Sequence, residues 1–354
     1  MRLARFILLI SIGTISLASC RWKNSRVKVF HMEGKQMVIN AIPAGESGTI
    51  LVSAVSADNL TFPRCLILKI NEKKILEKRT LPHENAGCGP ILEIDGKYTV
   101  KAGNSLIFLN ENLHFLRKIP LPGIIPAENG DIMDTYREGL SYLSMDTSGN
   151  IHLNILKFNE GIKSIDTNLK TDDLFPALEW MSDGRIVIAF IDNDSLMVVE
   201  FDTSGNPLWE YSTYLLDEGS IPTRIRHLME IPPGELLILI DMMKNMNLHS
   251  RILMLGSNGE IRGDYSTDDH EVAFHIAHTN GKILSYGRGY QEDGKPFTWV
   301  RIFDKKLNPG SRNIFNKELG NGVILNLKNS PVIVGTCEEF QDVCMLELDE
   351  QLLQ

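Results

Sequence analysis

The stretch FPALEWMSDGRIVIAFIDNDSLMVVEFDTSGNPLWEY, residues 175–211, decides the fold. Short β-type runs at 177–181, 185–191, 195–202 and 208–212 are cut by three turn signals. These are Ser182-Asp183-Gly184, Asp192-Asn193-Asp194 and Thr203-Ser204-Gly205-Asn206. β-branched and aromatic residues fill the runs. Gly, Asn and Asp, which tolerate left-handed backbone and bond their own main chain, fill the gaps. Four strands joined by tight turns make one small antiparallel sheet.

The same order recurs on both sides. Downstream come 225–231, 235–241, 250–255 and 260–265, then 271–278, 282–286, 298–303 and a weaker strand near Asn313, and last 323–327, 331–335 and 343–348. Upstream are 36–42, 48–56, 64–71 and 75–81, then 91–94, 98–101, 105–110 and 114–119. A shorter group follows at 140–145, 151–158 and 162–166, with residues 120–139 read as a long loop. Turn residues recur at Gly48, Gly96, Gly149, Gly184, Gly234 and Gly281, then at Asn329-Ser330, mostly about 50 residues apart, which is the period of a β-propeller. The run Leu236-Leu237-Ile238-Leu239-Ile240 is apolar at every position, as an inner strand covered on both faces requires. The expected fold is all-β: a propeller of seven four-stranded blades, with six or eight as alternative counts. The C-terminal group has three strands, and residues 26–32 supply its fourth, closing the ring. Tandem β-sandwich domains are the alternative architecture.

Residues 175–212 also resemble propeller repeats of the quinoprotein-like type. The likeness rests on Asp183-Gly184-Arg185-Ile186-Val187, Phe201-Asp202 and Gly205-Asn206-Pro207-Leu208-Trp209-Glu210. It implies that Asp and Gly shape the hairpins and that Trp209 packs between blades. The next unit keeps Leu255 and Gly259 but has Ile261 in place of the Trp.

The N-terminus carries a different signal. Arg2 and Arg5 precede a twelve-residue apolar run, 6–17, too short to span about 30 Å of hydrocarbon. Leu17-Ala18-Ser19-Cys20 then resembles the lipobox of bacterial lipoproteins. The resemblance implies that residues 1–19 are a removed signal peptide, that the Cys20 sulfur takes a diacylglyceryl group, and that residues 20–25 tether a single domain, 26–354. Several acyl chains give lasting anchorage, since each buried CH₂ adds about 0.8 kcal/mol. Arg21 stands where Asp commonly retains such proteins at the inner membrane, so the resemblance implies the outer membrane of a host that has one. The net charge is −9, and loss of Arg2 and Arg5 makes the body more acidic still. With no Lys/Arg block, the chain is not expected to bind nucleic acid.

Five cysteines are present. Setting Cys20 aside leaves Cys65, Cys88, Cys337 and Cys344, an even number in an exported chain, which points to disulfides. Three connectivities are possible. The local pairs Cys65–Cys88 and Cys337–Cys344 are favoured, on the reading that each lies within one hairpin or blade; free buried thiols are the alternative. No CxxC spacing suggests zinc.

Candidate chemistry is sparse. His270, His275 and His278 are the best metal candidates, but on a regular strand His275 faces away from the other two. Asp172-Asp173, Asp192-Asn193-Asp194 and Asp268-Asp269 read as turn chemistry, none matching a calcium loop. Gly287-Arg288-Gly289 reads as a loop leaving a strand, and Met242-Met243-Lys244-Asn245-Met246 as a soft inter-strand loop. No nucleophile elbow or phosphate loop occurs. No metal or cofactor is expected. The expected role is a lipid-anchored, non-enzymatic envelope module that binds a protein, peptide or glycan. The alternative is an envelope enzyme, a glycan hydrolase or lyase or a quinone-dependent dehydrogenase. The last would require calcium-binding acids and a stacking residue from among Trp22, Trp180, Trp209 and Trp299.

Overall fold

The computed structural model describes residues 27–348 apart from 46–47, 58–62, 82–86, 95, 122–131, 137–138, 158–160, 172–175, 216–218, 316–317, 328–329 and 338–341. Cys20 and the whole lipobox lie outside the described residues.

The first strand is β1 (Val27–Phe30). Blade 1 is β2 (Lys35–Ala44), β3 (Thr49–Ala57), β4 (Arg64–Ile70) and β5 (Ile75–Thr80); blade 2 is β6 (Cys88–Ile94), β7 (Lys97–Ala102), β8 (Ser105–Leu109) and β9 (Phe115–Pro120). Blade 3 is β10 (Met133–Tyr136), β11 (Gly139–Met145), β12 (Asn150–Lys157) and β13 (Gly161–Lys170); blade 4 is β14 (Ala177–Trp180), β15 (Ile186–Asp192), β16 (Ser195–Phe201) and β17 (Pro207–Tyr214). Blade 5 is β18 (Ser220–Ile231), β19 (Glu235–Lys244), β20 (Asn247–Leu255) and β21 (Ile261–Ser266); blade 6 is β22 (Val272–Thr279), β23 (Lys282–Tyr290), β24 (Pro296–Phe303) and β25 (Pro309–Phe315). Blade 7 is β26 (Leu319–Leu327), β27 (Ser330–Cys337) and β28 (Asp342–Glu347), with β1 as its outermost strand.

Each blade runs antiparallel from an inner to an outer strand. The middle strands are buried on both faces and the outer ones, such as β9, lie open. Alternation then sends successive side chains to opposite neighbours. In β15, Val187 and Ala189 join blade 5, whereas Ile186, Ile188 and Phe190 join blade 3. The hydrophobic core is therefore not one mass but seven clusters, one at each junction between adjacent blades, including the junction of blade 7 with blade 1. That arrangement is a closed seven-bladed propeller, as the repeat spacing indicates.

Inner strands leave backbone groups unpaired on the axial side, and neighbouring blades satisfy several of them. The N–H groups of Val38, Trp180, Glu230, Ala273 and Leu319 donate to Thr336, Asp134, Glu179, Ser250 and Thr298 of the preceding blades. Asp342 holds the seam: it accepts from the Met32 N–H at 2.9 Å and meets His31 Nδ1 at 2.8 Å.

Several readings change. The 120–139 segment contains β10, the inner strand of blade 3, which is only four residues long and carries polar Asp134 and Thr135. Gly287 and Gly289 sit within β23, not in a loop: a Cβ on either would collide with Trp299 or Phe297. Met242 and Met243 belong to β19, and only Asn245-Met246 form the turn. Trp209 packs between blades, against the blade 5 turn where Gly259 has φ +82 and a Cβ would lie 3.3 Å from the indole.

Candidate binding surface

Every inner strand starts at one face of the ring, the first face, which also carries the turns between second and third strands. The second face carries the other two sets of turns. This polarity sorts the functional candidates.

Cys65 and Cys88 are bonded, and so are Cys337 and Cys344. The first bond does not lie within one blade. Cys65 is in blade 1 and Cys88 opens the inner strand of blade 2, so it staples neighbours, while the second bond joins β27 to β28. Loop-closure entropy puts their contributions at about 3.5 and about 2.5 kcal/mol.

The histidines separate. His270 sits at φ 69 in the turn before β22 and His278 near the second face. His275 lies deep beside the axis, stacked on His227 with ring centroids 4.1 Å apart. Its Nδ1 accepts from Ile324 N–H at 3.4 Å, and burial, then the neighbouring His227, holds it well below the usual imidazole range. Among the described residues no three His, Cys, Asp or Glu side chains converge on a metal position. Asp268 pairs with Arg312 at 3.5 Å, and Asn193-Asp194 form a tight turn. Asp172-Asp173 lie outside the described residues.

A cluster around the axis was not read from the sequence. β-bulges interrupt β18 at Arg226, β22 at Phe274 and β26 at Gly320-Asn321, and a bulge re-aims its extra residue. The three bulges meet. The Arg226 guanidinium lies 5.3 Å from the Phe274 ring centroid, and its Nη1 donates to Asn321 Oδ1 at 3.3 Å, reaching from blade 5 to blade 7. Its Nε and Nη2 donate to Asp241 at 2.8 and 2.7 Å, and Arg224 Nε donates to the same carboxylate at 2.6 Å. Tyr286 Oη donates to the Gly320 carbonyl at 3.1 Å. These donors are committed to partners within the ring, so the cluster ties blades 5, 6 and 7 together. The sequence trace of it is the close spacing of Arg224, Arg226 and His227 within one inner strand.

One apolar patch lies on the first face of blade 5. Ile221, Met243 and Leu248 stand directly opposite one another across β18, β19 and β20, so they form one row on one side of the sheet. Ile221 and Leu248 are each 45% exposed. Met246, 86% exposed, tips the adjoining two-residue turn. Its φ is +66 after Asn245 at +49, the left-handed pair of a tight hairpin that Asn and Gly normally occupy. A large apolar side chain in left-handed backbone at an exposed tip costs stability that burial does not return.

No family model matches this chain, and no curated protein matches it. Solved structures do. The β-propeller domain of Cps50 (Swd1) from Myceliophteria thermophila aligns with a TM-score of 0.56 at 10% identity, over 91% of this chain and 100% of that one. BBS1N, solved in complex with ARL6DN in a mercury-soaked crystal, aligns with a TM-score of 0.61 at 13% identity, over 94% and 98%. The lead-soaked crystal of the same complex gives 0.58 at 12% identity, over 93% and 97%. At these identities the likeness is one of fold: this chain is a β-propeller built on the same plan.

Proposed function

We propose that the protein is a lipid-anchored β-propeller of the bacterial cell envelope, held by Cys20, whose first face docks a protein partner. The observation that carries the docking is the row of exposed Ile221 and Leu248 with half-buried Met243 between them, beside the left-handed Met246 tip. Apolar rows of this kind favour protein over glycan, because a sugar offers hydroxyls that such a surface leaves unpaired. Engagement of another protein by a propeller has a parallel in BBS1N, solved in complex with ARL6DN. Arg21 after the lipidated cysteine supports outer-membrane sorting in a two-membrane host.

Two measurements test this reading. Cys20→Ala should move the folded protein from the membrane to the soluble fraction; retention in the membrane would exclude lipidation at Cys20. Ile221→Asp with Leu248→Asp should abolish co-purification of the envelope partner. Leu76→Asp, at a 43%-exposed position on the outer strand β5, should leave it intact. Equal loss in both variants would remove the blade 5 row from the interface.

A further inference from the structure

We infer that the second face of the ring lies against the membrane and the first face, with its apolar row, points away from it. This rests on anchorage through Cys20. The direction of β1 supplies the rest. Val27 pairs with Leu346 and Phe30 with Val343, antiparallel to β28. Blade 7 rises from the first face along β26, returns along β27 and rises again along β28, so the chain enters β1 at the second face and leaves it at the first. The lipidated residue is therefore joined to the second-face rim of blade 7.

Covalent reach makes this orientation hard to invert. Seven residue steps separate Cys20 from Val27, at most about 25 Å when fully extended. The inner strand of blade 7 has nine residues, whose eight steps at about 3.3 Å span about 26 Å before the turns are added. Seating the first face on the bilayer would require the tether to run back along that whole height. Doing so would use up most of the tether, whereas seating the second face uses almost none of it.

Charge on the flanking turns points the same way. The second-face turns of blades 6 and 1, on either side of blade 7, carry Lys305-Lys306 and Lys73-Lys74, all exposed. Each turn has two lysines to one carboxylate in a chain of net charge −9, and the Asp304 carboxylate is turned onto its own loop, accepting from Lys306 N, Asn308 N and Asn308 Nδ2. Lysines at this rim suit anionic headgroups, with the lipid supplying the anchorage and the lysines the tilt.

The test uses the full lipidated protein, extracted from membranes and reconstituted into vesicles containing phosphatidylserine and a headgroup-nitroxide lipid. Its own cysteines being lipidated or disulfide-bonded, one added thiol can be labelled with a fluorophore, either Asn258→Cys on the second face or Glu292→Cys on the first. The expected result is quenching several-fold stronger at residue 258, with the difference reduced when Lys73, Lys74, Lys305 and Lys306 are all changed to Gln. Protein that floats with the vesicles but shows equal or reversed quenching overturns the orientation alone. Protein that does not float overturns the anchorage and the orientation together.

Discussion

The proposed docking role sets stability against recognition at a single position, Met246. Left-handed backbone costs a residue with a Cβ roughly 1 kcal/mol, and glycine escapes that cost. Met246→Gly is therefore expected to stabilise the fold by up to about 1 kcal/mol in urea titration while weakening partner capture. A variant that is no more stable, or that binds as well as the parent, would show that the methionine is not kept for contact. The methionine-rich stretch Met242–Met246 was visible in the sequence, but not its division into buried Met242 and exposed Met246. Both lie in one hairpin, but Met242 points into the core from β19 while Met246 sits at the tip of the turn, a boundary that sequence reading puts one or more residues off. The axial Arg226, Phe274 and Asn321 were illegible for a related reason: a bulge breaks the period of two on which strand reading depends.

At the scale of the element, the turns were the most legible feature, because their chemistry is local. The sequence Asp-Thr-Ser-Gly-Asn occurs at 146–150 and again at 202–206, and both turns close alike. Oδ1 of Asp146 accepts from the N–H groups of Ser148 and Asn150, and Oδ2 accepts from the Asn150 side chain; Asp202 and Asp304 repeat the pattern. The Asn150 side chain and backbone, more than any other contact, hold Asp146 down to about 2, and Asp202 and Asp304 are also lowered by their asparagine or backbone donors. A carboxylate with a depressed native pKa contributes stability that is full above its unfolded value, near 3.8, and is lost as the pH falls through the native value. Melting temperature should therefore fall between about pH 4 and pH 2. Replacing the three aspartates together by Asn, which keeps an acceptor oxygen but cannot titrate, should flatten that limb. An unchanged acid slope would place the titrating groups elsewhere. The strand that sequence missed, β10, shows the opposite case: four residues with two polar ones have too little pattern of their own, and the segment is a strand because Asp134 caps blade 4 and Met133 packs under Tyr142.

For the whole molecule, closure is the decisive property, and a repeat period read from turns reports it indirectly. Seven inter-blade clusters of similar make-up imply that no junction is dispensable, and the seam between blades 7 and 1 is the one made by chain ends. Phe30 is the buried residue of β1 in that seam, packed with Val38, Ile50 and Val343, while the rest of β1 is half-buried. Truncating a buried Phe to Ala typically costs 3–5 kcal/mol, through lost transfer energy and the cavity left behind. Phe30→Ala is expected at the lower end, about 3 kcal/mol, because β1 is an edge strand with room to relax. Val27→Ala, half-exposed at the start of the same strand, should cost less than about 1.5 kcal/mol. Both should unfold in one transition if the strand closes the ring cooperatively. A cost below about 0.5 kcal/mol at Phe30, the range of ordinary surface changes, would mean that the ring holds without β1. β1 would then be attached to the propeller and not part of its closure.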